Sequence, residues 1–157
     1  MTELLCLSDA YLKKFDAKIV EVSDKGYIRL DRTCFYPGGG GQPCDLGVLN
    51  FGKNTHNVIK VVKDSDQIWH VVENGHMLDI DQSIRGVIDW DLRYKLMRTH
   101  TAMHVLCGVV WRDYRASVTG GNMSPLRGRM DFEFENMNKD FVQEIEEKIN
   151  IEIDKAS

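Results

Sequence analysis

Residues 84–111 read IRGVIDWDLRYKLMRTHTAMHVLCGVVW, and their hydrophobic period changes partway along. Up to Trp90, apolar and polar residues alternate as in a strand with one buried face. From Asp91, the residues Leu92, Leu96, Met103, Cys107 and Trp111 return at three- and four-residue spacings, with no proline and no glycine before Gly108. A strand over 84–90 therefore hands over to a long helix, which Asp89 or Asp91 can cap. Toward the N-terminus the alternation continues. AKIVEV at 17–22, an SDKG turn and YIRLD form one hairpin, and NVIKVVK at 57–63 with QIWHVV at 67–72 form another. Toward the C-terminus, SVTGGN is expected to end the helical region and RGRMDFEF to alternate as a strand, while Phe141, Ile145 and Ile149 mark a second helix over 138–153. Strands and helices fall in separate blocks, which favours an α+β fold over βαβ repeats. The expectation is one domain, with a mostly antiparallel β front half over 1–88, a small barrel or a sheet. A two-layer helix and sheet region over 89–157 follows, built on the long helix.

A chain of 157 residues is long enough to bury a core without staples. Its 43% hydrophobic and 28% charged residues, with only 3 prolines, exclude disordered, collagen-like and low-complexity classes. No apolar run reaches the length of a membrane span, and the start MTELLCLSDAYLKKF has neither the basic nor the apolar part of a signal peptide. Cys6, Cys34, Cys44 and Cys107 show no CxxC spacing, so free thiols in a reducing cytoplasm are expected. The net charge of −4 conceals an uneven distribution, because between 85 and 130 eight basic residues face three acidic ones. Arg93, Lys95, Arg98, Arg112, Arg115, Arg127 and Arg129 can there present a phosphate-contacting surface, or merely a solvated face.

Two motifs carry candidate chemistry. His100 and His104 lie one helical turn apart on one face, so both imidazoles can reach a single metal ion. They share a stripe with Leu96, Cys107 and Trp111 and are expected to face an apolar interior or a cleft, as zinc ligands or as separately hydrogen-bonded core histidines. Thr101 stands where a metalloprotease of the HExxH type needs its glutamate, which counts against that chemistry. Cys107 is a poor third ligand, since seven helical residues raise it by roughly 10 Å from His100. A nucleophilic pair of Cys107 with His104 remains open. The second motif is Phe35-Tyr-Pro-Gly-Gly-Gly-Gly-Gln-Pro43, whose four glycines let backbone amides approach an oxyanion or phosphate, or simply form a hairpin turn. It is neither a Walker A loop nor a dinucleotide fingerprint. Gln42 behind it offers both a donor and an acceptor.

Taken in order, FYPGGGGQPCDLG, YKLMRTHTAMHVL and GGNMSPLRGRMDFEF resemble the freestanding alanyl-tRNA editing proteins, relatives of the editing domain of alanyl-tRNA synthetase. The resemblance runs from about residue 5 to the end. The editing domain of threonyl-tRNA synthetase shares the two-histidine helix, but the glycine run favours the alanyl branch. The resemblance implies a cytoplasmic, ATP-independent hydrolase that frees tRNA(Ala) of a wrong amino acid, serine or glycine. It assigns His100 and His104 to Zn²⁺, and Gln42 with Gly39, Gly40 and Gly41 to the active-site loop. Thr33 would read the serine hydroxyl. Arg98, Arg127 and Arg129 would contact the tRNA. The family completes its zinc site with a CxxxH motif nearer the C-terminus, and these 157 residues hold no such motif. The sequence is accordingly expected to be C-terminally truncated, with an incomplete metal site. A tRNA-binding module without catalysis and a structural zinc domain are the rival expectations.

Overall fold

The computed structural model describes residues 1–134 and 138–155. The chain divides into two compact units, Met1–Tyr94 and Lys95–Ser157. In the first, a short strand β1 (Glu3–Leu4) lies parallel to β4 (Arg32–Thr33). The strands β2 (Lys14–Val22), β3 (Tyr27–Leu30), β5 (Gly47–Phe51), β6 (Asn54–Asp64), β7 (Gln67–Val72) and β8 (Ser83–Ile88) form a closed barrel in the order β2-β3-β7-β6-β5-β8, every pairing antiparallel. Of the two forms expected, barrel or sheet, the chain takes the barrel. Closure removes the free strand edges that an open sheet would expose.

Alternation sets the barrel's inside and outside. Phe15, Ala17 and Ile19 of β2 are buried between exposed Lys14, Asp16 and Lys18, and Ile68, His70 and Val72 of β7 repeat the pattern. Register shifts fall between Ile19 and Glu21 and between Val58 and Lys60, the kind of kink that curves a sheet into a barrel. Opposite Phe15, Gly86 has no side chain for a reason: a Cβ there would sit 2.2 Å from the phenyl ring. β5 escaped the sequence reading because GVLNF is only five residues long and opens on a glycine.

Helix α1 (Trp90–Tyr114) follows, with the Leu92 N–H donating to the Asp89 carboxylate at 3.0 Å, so Asp89 is the cap. In the second unit β9 (Val118–Ser124) and β10 (Arg127–Phe132) form an antiparallel hairpin, and α2 (Lys139–Lys155) is capped by Asn138, which accepts the Phe141 N–H at 2.8 Å. SVTGGN follows the end of α1 at Tyr114 and is mostly strand. At Gly121 a Cβ would lie 3.0 Å from the Arg129 carbonyl, so the partner strand approaches a site where no side chain intervenes. This unit has its own core of Val110, Ala116 and Ile145, ringed by Tyr114, Phe132, Phe134 and Phe141. Phe141 meets Tyr114 and Phe134 edge-on at centroid distances of 4.9 and 5.0 Å.

Candidate active site

The glycine run folds into a tight reversal. Gly39 and Gln42 exchange both backbone hydrogen bonds at 3.0 Å, leaving Gly40 (φ 58°) and Gly41 (φ 83°) as the central pair. Positive φ at both central positions is what a type I′ turn requires, and it is open to glycine at little cost. The amides of Gly39 and Gln42 are consumed inside this turn. Gly39, Gly40 and Gly41 stand exposed, with Gln42 half-buried behind them.

Both feet of the loop are bolted to the start of α1. The Arg93 guanidinium is buried with the Asp45 carboxylate, its Nε donating at 2.8 Å to Oδ1 and its Nη2 to Oδ2. The same guanidinium reaches the Cys34 carbonyl at 2.7 Å and the Ala10 carbonyl at 3.1 Å, while Asp45 Oδ2 accepts the Tyr36 N–H at 2.6 Å. Arg93 was expected among the phosphate contacts. It is instead 3% exposed and fully committed, a buried charge whose partner's removal costs about 3–5 kcal/mol. Sequence held a faint signal for this: a cation in the first turn of a helix opposes the dipole, so a carboxylate should be near.

Thr33 lies at one end of this framework, with no exposed surface. His70 Nδ1 lies 3.1 Å from the Ile28 carbonyl, which can only accept, so Nδ1 carries the proton and Nε2 is an acceptor. The Thr33 hydroxyl therefore donates to His70 Nε2 at 2.9 Å, and it accepts the Phe35 N–H at 3.1 Å. Burial holds the His70 pKa down to about 4, which fits a neutral ring. The Thr33 hydroxyl, expected to read a substrate hydroxyl, gives its proton to His70 inside the barrel, where it braces the strand entering the glycine loop.

In the second unit, His100 and His104 stack at 4.8 Å with rings 10° apart and their Nε2 atoms separated by 2.9 Å. Their surroundings differ from the expectation of an apolar interior. His100 is half-buried, His104 is exposed and Trp111 is 53% exposed, because Leu96, Thr99, Val109 and Val110 form the buried stripe of α1. Cys107 turns its thiol to Met130 Sδ at 3.3 Å, and burial raises its pKa, so it does not pair with His104 as a nucleophile. The two nitrogens converge as ligands of one ion would. Among the described residues no group of three or more His, Cys, Asp or Glu side chains is placed to hold a metal, so the residues present fit zinc only in part.

Arg98 and Arg127 are exposed. Arg98 lines a recess of about 380 Å³ with Thr99, Met103, Leu126 and Gly128, which brings it to the hairpin tip that carries Arg127. Arg129 is also exposed but donates to Asp131 at 3.0 Å. Arg112 is held by Asp113 and Glu152.

Compared with known proteins, residues 4–92 match the family described as tRNA synthetases class II (A). An alanyl-tRNA editing protein AlaX-M from Saccharolobus solfataricus is 39% identical over 138 residues, covering 87% of this chain and 58% of that protein. One from Methanosarcina barkeri is 37% identical over 155 residues, 96% of this chain and 64% of that protein. An alanine–tRNA ligase from Ignicoccus hospitalis is 37% identical over 156 residues, 98% of this chain and 17% of the ligase. The chain thus spans about three-fifths of the length of the editing proteins it matches.

Proposed function

The chain belongs to the family tRNA synthetases class II (A), and from that membership we propose that it is a trans-editing hydrolase cleaving the ester between serine, or glycine, and tRNA(Ala). The observation that carries this reading is the similarity to alanyl-tRNA editing proteins over nearly the whole chain, glycine loop and histidine pair included. In the reaction, the oxygen of a water forms a bond to the ester carbonyl carbon and the bond to the terminal ribose oxygen breaks. The ribose oxygen takes up a proton and the amino acid leaves as its free acid. An aminoacyl ester is activated, so positioning and an oriented water supply much of the rate. In this reading the exposed glycine turn receives the aminoacyl-adenosine and Gln42 holds its amine or carbonyl. Arg98, Arg127 and Arg129 take the phosphates.

His100 and His104 are the proposed zinc ligands. Bound zinc would supply a Lewis acid at the carbonyl, with a further ligand from outside the described residues. The lack of a third ligand among the described residues also favours a second reading, a module that binds tRNA(Ala) without cleaving it. Release of serine from Ser-tRNA(Ala), followed with and without a chelator, separates the two. Release abolished by the chelator and reduced at least tenfold in His100→Ala and His104→Ala supports the zinc hydrolase. Tight tRNA binding without release supports the module.

A further inference from the structure

Where the barrel meets the start of α1, three aromatic rings adjoin, Trp90 stacked on Tyr94 and tilted by 46° against Tyr11. Trp90 lies 5.5 Å from Tyr11 and 5.7 Å from Tyr94, the latter pair 29° from parallel. Lys13 places its ammonium 4.5 Å from the Trp90 ring centroid. The outer two rings are open, Tyr11 being 62% and Tyr94 43% exposed. Large rings left in water rather than folded into a core call for a partner.

Hydrogen bonds hold the backbone that carries Tyr11 and Lys13. Arg93 bonds the Ala10 carbonyl, Asp9 accepts the Tyr11 N–H at 2.9 Å and the Lys13 carbonyl accepts the Ile88 N–H at 3.0 Å. Asp9 and Asp89 direct a carboxylate oxygen at backbone N–H groups and keep their charge, whereas Lys13 holds its ammonium over the Trp90 ring. Exposed flat rings next to a cation are what an unpaired nucleobase and its phosphate require: the base finds a face to stack on, and the phosphate finds a lysine.

We propose that Tyr11, Trp90 and Tyr94, with Lys13, form a stacking platform for unpaired bases of an RNA strand. The choice of RNA rests on the editing reading above, whereas the platform stands on its own geometry. Its test uses the whole chain and a labelled single-stranded oligoribonucleotide of about eight nucleotides, with the fully paired form for comparison. Replacing both tyrosines by alanine should weaken single-strand binding about tenfold or more, while the Tyr11→Phe, Tyr94→Phe pair keeps it within about twofold. Lys13→Gln should flatten the salt dependence by about one phosphate contact. The proposal is overturned if the alanine pair binds as the parent does, or if phenylalanine loses as much as alanine. It is equally overturned if the parent ignores the single strand, or takes a proline-rich peptide in its place. Failure of serine release with tyrosine-dependent RNA binding intact would strike the editing reading alone; the converse result would strike only the platform.

Discussion

A neutral imidazole sealed inside the barrel determines how the protein responds to acid. His70 keeps its pKa near 4 when folded, against 6.5 when free, so between those values the unfolded chain binds a proton that the native chain refuses. Stability therefore rises with pH across this window. Falling from pH 6.5 to 4, the protein should lose on the order of 3 kcal/mol, visible as a lower urea midpoint, and His70→Gln should flatten the dependence. An equal midpoint at pH 7 and pH 4.5 would show that the folded ring takes up its proton as readily as the unfolded one. Thr33 belongs to the same network. Thr33→Val strands His70 Nε2 and the Phe35 N–H, costing about 1–3 kcal/mol by thermal or chemical denaturation. If Thr33 read the substrate instead, serine release would change and stability would not. At this scale the sequence was least legible. The roles of Thr33 and Arg93 depend on His70 and Asp45, partners 37 and 48 residues away, and nothing local announces such a pairing.

Elements were easier to read, because period is a local property. The hairpins, the final barrel strand and both helices stand close to where alternation and helical spacing put them. Two strands left no clear signal for one reason: glycine-rich SVTGGN and short GVLNF have weak strand propensity, and a partner strand overrides it in both. The buried stripe of α1 was misjudged because Thr99 packs inward while Trp111 does not, a choice made by neighbours and not by hydropathy. The β9–β10 turn carries a testable strain. Pro125 and Leu126 span it, and Leu126 holds φ at 59°, a left-handed conformation costing a non-glycine residue roughly 1–2 kcal/mol. Leu126→Gly relieves that strain and loses about 0.5–1 kcal/mol to the freer unfolded chain, so the unfolding temperature should rise by a few degrees at most. A lower temperature would mean that its side chain holds the recess beside Arg98.

For the molecule as a whole, charge is the accessible test. With a net charge of −4, the tRNA of the proposed reaction would have to be held by a local surface, and the positive middle of the chain supplies the candidates. Neutralising Arg98 or Arg127 should each lower the slope of log affinity against log salt by about one, and Arg129, shared with Asp131, by less. Arg93→Met, by contrast, should act through folding alone. A slope unmoved by Arg98 and Arg127 would place the tRNA elsewhere. That Arg93 is structural also has a consequence in time. Asp45 leaves the ribosome 48 residues ahead of the cation that neutralises it. The matched family segment ends at residue 92, one short of that cation. A nascent chain of that length holds all six barrel strands and the bonds that close the glycine turn, so the Arg93 bonds to Asp45, Cys34 and Ala10 that brace its feet form only after the first turn of α1 has been translated.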